Sequence, residues 1–564
     1  MRTKPRAALG CALSLTPEQA AAVLCEAHAL EVRAGAGTGK THTLAHRVAH
    51  LAPGLAQQSR CLVVTFTREA TASLQRRLSL LLGRDHAVRV LSFHQWAARE
   101  LPPELRRFMP EAEARRAVAE TLLRARPGPG FSRALGVALG EDASARVLGV
   151  LSYAKNAQTT LGAALDGPLS NLAPYREALE RAQEAYEARK GDRLDYDDLL
   201  VAFRDRLARG AAFRQEVVAR LDHVFVDEYQ DVNGLQADAV RLVSAGPRGA
   251  RVTVVGDARQ SIYGFRGGSP RHLESFLKPY GKRGARLALT LSFRSDRRIV
   301  AAANRALPSR YPLRPRQGAP RGLAPEALAC ADPRDEARTL ADRVEALLAE
   351  GADPREIVVL SRARHLALAY QEEVVARRAD EAWAEDHPGD ITDAIDGFLR
   401  AARRERVGLA AFAARAEGAL GRAARVLARR ARAAPPLPAR PTAARVLALP
   451  KGEDIFHVKV ATIHAAKGLE WDHVLLCGAR EGGLPSDHAL QAPEHVRDAL
   501  VEEERRLLYV AITRARKSFL ATWPRVGERR AHEPCRWLAS LAASGSFASL
   551  ILQGSMKEPS GIHP

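Results

Sequence analysis

The stretch LEVRAGAGTGKTHTLAHRV, residues Leu30 to Val48, reads as a short apolar strand, a glycine-rich turn and the start of a helix. Within it, AGAGTGKT (Ala34, Gly35, Ala36, Gly37, Thr38, Gly39, Lys40, Thr41) has the make-up of a loop that closes on phosphate, with Ala34 in a leading position where Gly is commoner. Gly35, Gly37 and Gly39 can take positive φ, so that successive backbone N–H groups converge on an anion. A helix beginning near Lys40 points its partly positive N-terminus at the same anion. Lys40 would reach the outer phosphates, and the Thr41 hydroxyl would ligate Mg²⁺. Any chain with 41 glycines contains incidental Gly-rich turns, but here a strand precedes the turn and a helix follows it.

With 564 residues the chain exceeds what one hydrophobic core organises, so several domains are expected. A hydrophobic fraction of 46% and a charged fraction of 27% describe a globular protein. The net charge of +20 favours a polyanionic partner, because each cation set against phosphate releases condensed counterions. An Arg/Ala-rich composition bias accounts for the same balance equally well from charge alone. The six cysteines (Cys11, Cys25, Cys61, Cys330, Cys477 and Cys535) have neither C-x-x-C pairing nor metal spacing, which points to a reducing compartment without a disulfide framework. Arg2 to Leu15 is slightly signal-like, but its apolar run is short, and no run approaches the length of a membrane helix. A cytoplasmic setting is expected.

Thr16 to Ala29 carries an N-cap Thr and Pro17 at the first helical turn. Strands and helices then alternate: Leu30–Ala34, a helix from Lys40, Cys61–Thr65, a helix from Glu69 and Val88–Leu91. This is the pattern of a parallel, doubly wound sheet with ligand at the strand carboxyl ends. Residues 96–209 turn helical and Ala/Arg-rich, and DYDDLL (Asp195 to Leu200) lies near their end. Alternation resumes at His223–Val226, Arg251–Val255 and Leu287–Leu291. A second series follows at Leu328–Cys330, a helix from Pro333, Ile357–Leu360, Val458–Ile463 and His473–Leu476. The fold class is therefore α/β, with two parallel sheets flanked by helices and interrupted by helical insertions. The division expected is 1–95 and 210–292 for the first α/β domain, around an insertion at 96–209. The second domain spans 293–379 and 456–545, around an Ala/Arg-rich insertion and Pro-rich linker at 380–455 that contains PPLPARP (Pro435 to Pro441). Residues 546–564 are expected to form a frayed tail, after one last strand and one last helix.

The apolar strand Val224–Val226 ends in two carboxylates, Asp227 and Glu228. At a strand end beside a phosphate loop, Asp227 would hold Mg²⁺ and Glu228 would polarise the attacking water. A further strand end leads to Gln260, whose amide would touch the γ-phosphate, and then to Tyr263, Phe265 and Arg266. Aromatics interleaved with Arg provide stacking faces and a phosphate contact for a single strand, at roughly 1–3 kcal/mol per stacked base. The same aromatics could instead fill the core. Arg294 and Arg514 stand in motif contexts that suit cations aimed at a γ-phosphate.

In order, LTPEQ (Leu15–Gln19), AGAGTGKT, TFTREA (Thr65–Ala70), SFH (Ser92–His94), VDEYQD (Val226–Asp231) and VVGDARQSIYGFRGG (Val254–Gly268) strongly resemble the first-domain motifs of superfamily 1 DNA helicases of the UvrD/Rep/PcrA type. LSFRS (Leu291–Ser295), TIHAAKGLEW (Thr462–Trp471) and EEERRLLYVAITRAR (Glu502–Arg516) are similar to those of the second. The resemblance implies two RecA-like P-loop NTPase domains that close on ATP and Mg²⁺ and move 3′→5′ on single-stranded DNA, with forked or tailed duplex as a further substrate. It implies that Gln19 reads adenine, Phe293 stacks on it and Glu470, beside Gly468, meets the ribose. Lys40, Thr41, Asp227, Glu228, Gln260, Arg294 and Arg514 would serve phosphate, metal and water. Thr65, Phe66, His94, Tyr263, Phe265, Arg266 and His464 would line the single-strand track. No protein partner is implied.

The chain departs from the family pattern at several points. His42 stands where many relatives carry Arg beside the base, Ser292 replaces a frequent Asn, and Phe265 stands where Trp is common. The insertion at 380–455 is short where relatives carry a large accessory domain. That motivates a second reading, a single-strand-dependent ATPase that displaces DNA-bound proteins and unwinds duplex weakly. The Arg-rich run Arg403 to Arg432 reads as a solvated amphipathic face, or alternatively as a duplex-contacting helix through Arg425, Arg429 and Arg430. No carboxylate–Lys nuclease cluster accompanies the motor motifs.

Overall fold

The structure is a computed structural model describing residues 15–54, 60–128, 130–135, 142–386, 393–397, 418–432, 457–527, 531–543 and 548–552, with single positions at 390, 400, 413 and 455. Pro435–Pro441, Cys11 and residues 403–412 and 414–417 of the Arg-rich run lie outside the described residues.

Two compact units emerge. The first comprises the chain up to Arg294 together with Leu307–Gly318 and His488–Arg506; the second comprises Ser295–Ala306, Ala319–Asp487 and the chain from Leu507. In the first unit, β1 (Ala29–Ala34), β2 (Cys61–Thr65), β3 (Arg89–Ser92), β4 (His223–Val226), β5 (Arg251–Gly256) and β6 (Gly284–Leu289) form one sheet, in the order β3-β2-β4-β5-β1-β6. Every pairing is parallel, so all carboxyl ends share one edge. Alternate residues feed opposite faces: Leu62, Val64, Val224 and Val226 enter one core, and Cys61, Val63 and Phe225 the other. The strand expected at Leu287–Leu291 ends at Leu289; β7 (Leu291–Ser292) then pairs separately with β8 (Arg314–Pro315).

The helical insertion has its own core, where Val118, Val147, Leu151, Leu165 and Leu179 pack between the helices Glu111–Ala125, Ser144–Asn156 and Arg176–Lys190. Lys155 pins it together: its ammonium donates to Asp195 at 2.6 Å and Asp198 at 2.8 Å, and Asp195 also accepts from the Tyr186 hydroxyl at 2.6 Å.

The second unit holds β9 (Glu326–Cys330), β10 (Ile357–Ser361), β11 (Lys459–Thr462), β12 (Trp471–Cys477), β13 (Ala515–Pro524) and β14 (Ala548–Leu552), ordered β11-β10-β12-β13-β9-β14. Counted within each unit, this is the same strand permutation as in the first, and again all parallel. Both units have the RecA-like order. The permutation corrects the expectation for the tail: ASLIL at 548–552 pairs with Glu326–Ala329 and occupies the edge that β6 occupies in the first unit. The unit boundary also differs from the sequence division, because Phe293, Arg294, Leu307–Gly318 and His488–Arg506 group with the first unit. Local hydrogen bonds explain this: Phe293 N–H donates to the Gly37 carbonyl at 2.9 Å, and Gly264 N–H donates to Glu503 at 2.9 Å.

In the remaining insertion, Ala423, Ala424, Val426 and Leu427 of the helix Gly418–Arg432 are buried, and Arg425 is held by Asp380 at 3.0 Å. That is an amphipathic helix with one apolar face, and Arg425 is engaged within the protein. Among the described residues no helix is long and apolar enough to cross a membrane.

Glu336 is a buried acid in the second core. It accepts from Gly478 N–H at 2.8 Å and from the Thr522 hydroxyl at 2.7 Å, yet burial outweighs these bonds and pushes its carboxyl up to about 7. The native chain therefore holds this proton more tightly than the unfolded chain does. Stability should fall as pH rises from about 4.5 to about 7, by about 3 kcal/mol in all. Glu336→Gln should flatten that slope in denaturant unfolding of the chain between pH 5 and pH 8. An unchanged slope in the variant rules the assignment out.

Candidate nucleotide and nucleic-acid sites

The phosphate loop joins β1 to the helix Lys40–Leu51, and Gly39 caps that helix in the left-handed region at φ 81°. Gly37 also has positive φ, 72°, and a Cβ there would lie 2.6 Å from the Arg294 Cβ and 2.8 Å from the Ser292 hydroxyl. Gly35 differs from the expectation: its φ is not positive, and a Cβ there would press on the Leu313 side chain and the Arg259 guanidinium. The loop is braced by the Thr38 hydroxyl donating to the Gly35 carbonyl at 2.9 Å.

Gln19 reaches the loop from the helix Pro17–Leu24. Its Nε2 donates to the Thr38 carbonyl at 3.1 Å and its Oε1 accepts from Thr16 N–H at 3.1 Å, as half of a capping box. Each end of the amide thus keeps one hydrogen-bonding position beyond these contacts. His42 stands in the first turn of the loop helix, with its ring 4.3 Å from that of His46. Burial, followed by His46 and Arg77, holds the His42 imidazole below its ordinary value, at the position where the family pattern has Arg.

The acidic pair ends β4, two strands from β1. Asp227 accepts from the Thr41 hydroxyl at 2.9 Å. Burial and then the neighbouring Glu228 push its carboxyl up to about 6, against the pull of Thr41 and Lys40. Glu228 takes φ 49°, rare for a residue with a side chain and costing on the order of 1–3 kcal/mol. Gln230 is fully buried behind the pair: its amide nitrogen donates to Glu228, and its oxygen accepts from Asp257 N–H at 2.9 Å. Asp257 in turn receives Gln260 Nε2 at 2.9 Å and Arg259 Nε at 3.2 Å. Burial opposes the charge on Asp257, but Arg259, Lys40 and these hydrogen bonds prevail and hold its carboxyl below the usual range. Gln230, Asp257 and Arg259 were not singled out from the sequence, although each lies inside a quoted motif. Their role as a buried link between two strand ends needs the sheet order to become visible.

The track residues follow the ends of β2, β3 and β5. Phe66 and Tyr263 lie near-parallel with ring centroids 6.1 Å apart, and Phe265 meets Tyr263 edge-on at 5.9 Å. The Arg266 guanidinium sits 5.5 Å from the Tyr263 ring and 5.6 Å from that of Phe265. Thr65, Phe66, His94, Phe265 and Arg266 all line one cleft of about 560 Å³, walled on its far side by the helical insertion. Burial lowers the His94 pKa, against Asp197 and Asp195. Tyr196, exposed beside His94 at 6.0 Å and stacked on Phe108 at 5.9 Å, continues this aromatic surface. The DYDDLL stretch carried that signal, but its aromatic was not assigned.

Arg514, Glu470, Gly468 and His464 belong to the second unit. Arg514 is buried and donates to the carbonyls of Val510 and Leu469, both at 3.1 Å. Glu470 accepts from Arg516 at 3.3 Å, Gly468 takes φ 84°, and the His464 carbonyl caps a turn with Lys467 N–H at 3.4 Å.

Phosphate loop, acidic pair, Gln260 and the aromatic cluster therefore leave one edge of a single parallel sheet. A UvrD/REP helicase N-terminal domain is matched over residues 15–281, and a UvrD-like helicase C-terminal domain over residues 447–525. The ATP-dependent DNA helicase UvrD2 of Mycobacterium bovis is 32% identical, with 94% of this chain aligned to 81% of that protein. PcrA of Leuconostoc citreum is 30% identical over 51% of this chain and 38% of its own length. UvrD1 of Mycobacterium leprae is 29% identical over 64% and 48%. The chain belongs to the UvrD/REP family of ATP-dependent DNA helicases.

Proposed function

We propose that the protein hydrolyses ATP to move 3′→5′ along single-stranded DNA and to open tailed or forked duplex, in DNA repair or replication. The observation that carries this reading is the shared edge. Neighbouring parallel strands deliver Lys40 and Thr41, Asp227 and Glu228, Gln260, and the Tyr263–Arg266 cluster to the same side of one sheet. The closed hydrogen-bond path Glu228–Gln230–Asp257–Gln260 supports a nucleotide site whose acid and amide move together.

The donor set fits Mg²⁺. A hydroxyl and a buried carboxylate sit 2.9 Å apart, and that carboxylate stands against excess negative charge from Glu228. Thr41 and Asp227 would hold the ion, which when bound offsets the charge developing on the phosphates. Glu228 orients the attacking water and takes its proton. Lys40 and the N-terminus of Lys40–Leu51 bind the phosphates, and Arg294 beside Gly37 adds a cation there. Gln260 responds to the γ-phosphate and passes its loss to the Tyr263–Arg266 turn. Gln19 and Phe293 serve the adenine.

ATPase rates measured side by side with single-stranded DNA, RNA and duplex test the substrate, and 3′- against 5′-tailed duplexes test the direction. Strong stimulation by single-stranded DNA and opening of 3′-tailed substrate are expected. An ATPase indifferent to all three nucleic acids would overturn the reading. Displacement of streptavidin from a single strand without strand separation would favour the remodelling role that the short insertion motivates.

A further inference from the structure

Asn156 ends the helix Ser144–Asn156 and is 6% exposed, although its amide is polar at both ends. Its Nδ2 donates to Asp197 Oδ1 at 2.8 Å and to the Ser152 carbonyl at 3.1 Å, and its Oδ1 accepts from Asn233 Nδ2 at 2.6 Å. Its backbone is packed against the aromatic turn: a Cβ on Gly267 would lie 2.9 Å from the Asn156 carbonyl carbon and 2.8 Å from the Ala157 nitrogen.

What lies at each end matters. Asp197, on the helix Tyr196–Arg209, lines the cleft with His94, Phe265 and Arg266, and Asn156 and Asn233 reach the same cleft wall. Asn233 caps the helix Gly234–Ser244 by accepting from Gln236 N–H at 2.9 Å, and its backbone pairs with Gly268. Only the tight turn Tyr229–Asp231 and Val232 separate Asn233 from Asp227 and Glu228. A single buried side chain thus joins the far wall of the cleft, the aromatic turn and the segment leaving the acidic pair.

We infer that Asn156 is a positioning residue that makes occupancy of the cleft by a single strand felt at Asp227 and Glu228. The inference rests on the reading of this cleft as the single-strand site. A strand seated there bears on Asp197 and on the Tyr263–Arg266 turn. Because breaking the bond from Asn233 would cost the buried Oδ1 its hydrogen bond, a shift of Asn156 on the cleft side carries Asn233 with it. The backbone of the acidic turn follows.

The test is ATP hydrolysis by the full chain with and without oligo(dT), read as the ratio of stimulated to unstimulated rate, with the KM for ATP and Tm measured alongside. Asn156→Asp keeps an acceptor for Asn233 but sets a carboxylate against Asp197, and should lower the ratio about tenfold with KM little changed. The double variant Asn156→Asp with Asp197→Asn reverses donor and acceptor across the same contact at the same net charge. It should restore the ratio to within about twofold of the parent. A merely structural role would lower Tm and move both rates together, leaving the ratio unchanged, and that result overturns the inference. So does a double variant that regains Tm but not the ratio. A parent protein whose ATPase ignores oligo(dT) overturns the cleft reading, and the inference with it.

Discussion

Glu228→Gln is expected to cut ATP turnover by about 10²–10⁴-fold while leaving the KM for ATP within a few-fold of the parent. The geometry makes this separation sharp. Asp227 is tied to Thr41 at 2.9 Å and belongs with the phosphate loop, so its loss would weaken nucleotide and metal binding together. Glu228 is held differently: its backbone sits in the left-handed region at φ 49°, and its carboxylate is oriented by the amide of buried Gln230. The surrounding bonds maintain a strained conformation there, as expected of a group that acts on a reacting water. The substituted amide matches the carboxylate in shape and still occupies the site, but it cannot take a proton. Lys40→Ala is the contrasting variant, with loss of both binding and turnover because the phosphates lose their cation. ATP hydrolysis by Glu228→Gln at more than about a third of the parent rate would remove this acid from the mechanism.

The central strands of the first unit were legible because their residues are apolar on both faces. Val224–Val226 and Cys61–Thr65 could be read almost to the residue, since a strand buried on both sides leaves little freedom of pattern. Ala548–Leu552 was not legible. Five residues near a polar tail carry no signal of their own, and only the parallel pairing with Glu326–Ala329 gives them a place. The site divides in the same way. Lys40, Thr41, Asp227 and Glu228 announce themselves by local spacing, because the chemistry acts at one loop and one strand end. Gln230, Asp257, Arg259 and Asn156 act across strands or between the sheet and the insertion, so their meaning depends on contacts such as Asn156 with Asn233, far apart in the chain. Gly35 illustrates the limit from the other side. The residue type was read correctly but the reason was not, since Gly35 has no positive φ and instead packs closely under the Leu313 side chain.

Phe265→Ala should weaken binding of single-stranded DNA by about 5- to 150-fold, the range that corresponds to roughly 1–3 kcal/mol for one stacked base. The size of the effect follows from where the ring is. Phe265 is 50% exposed, in a chain where Trp96, Phe203 and Phe225 are fully buried, so its removal should cost affinity without costing the fold. A core aromatic truncated in the same way would lower Tm by several degrees, at about 3–5 kcal/mol for a buried Phe. Tm therefore separates a ring that stacks on a base from one that fills the interior. Phe265→Trp, which enlarges the stacking face at the same exposed position, should bind at least as tightly as the parent. Arg266 supplies the complementary signature, because its guanidinium lies 5.5 Å from the Tyr263 ring and would meet phosphate as well as base. Arg266→Ala should reduce the slope of log affinity against log salt by about one, whereas Phe265→Ala should shift affinity with that slope unchanged. If both variants altered the slope equally, or if Phe265→Ala lowered Tm as a core substitution does, the cluster would be structural, and the cleft would need another occupant.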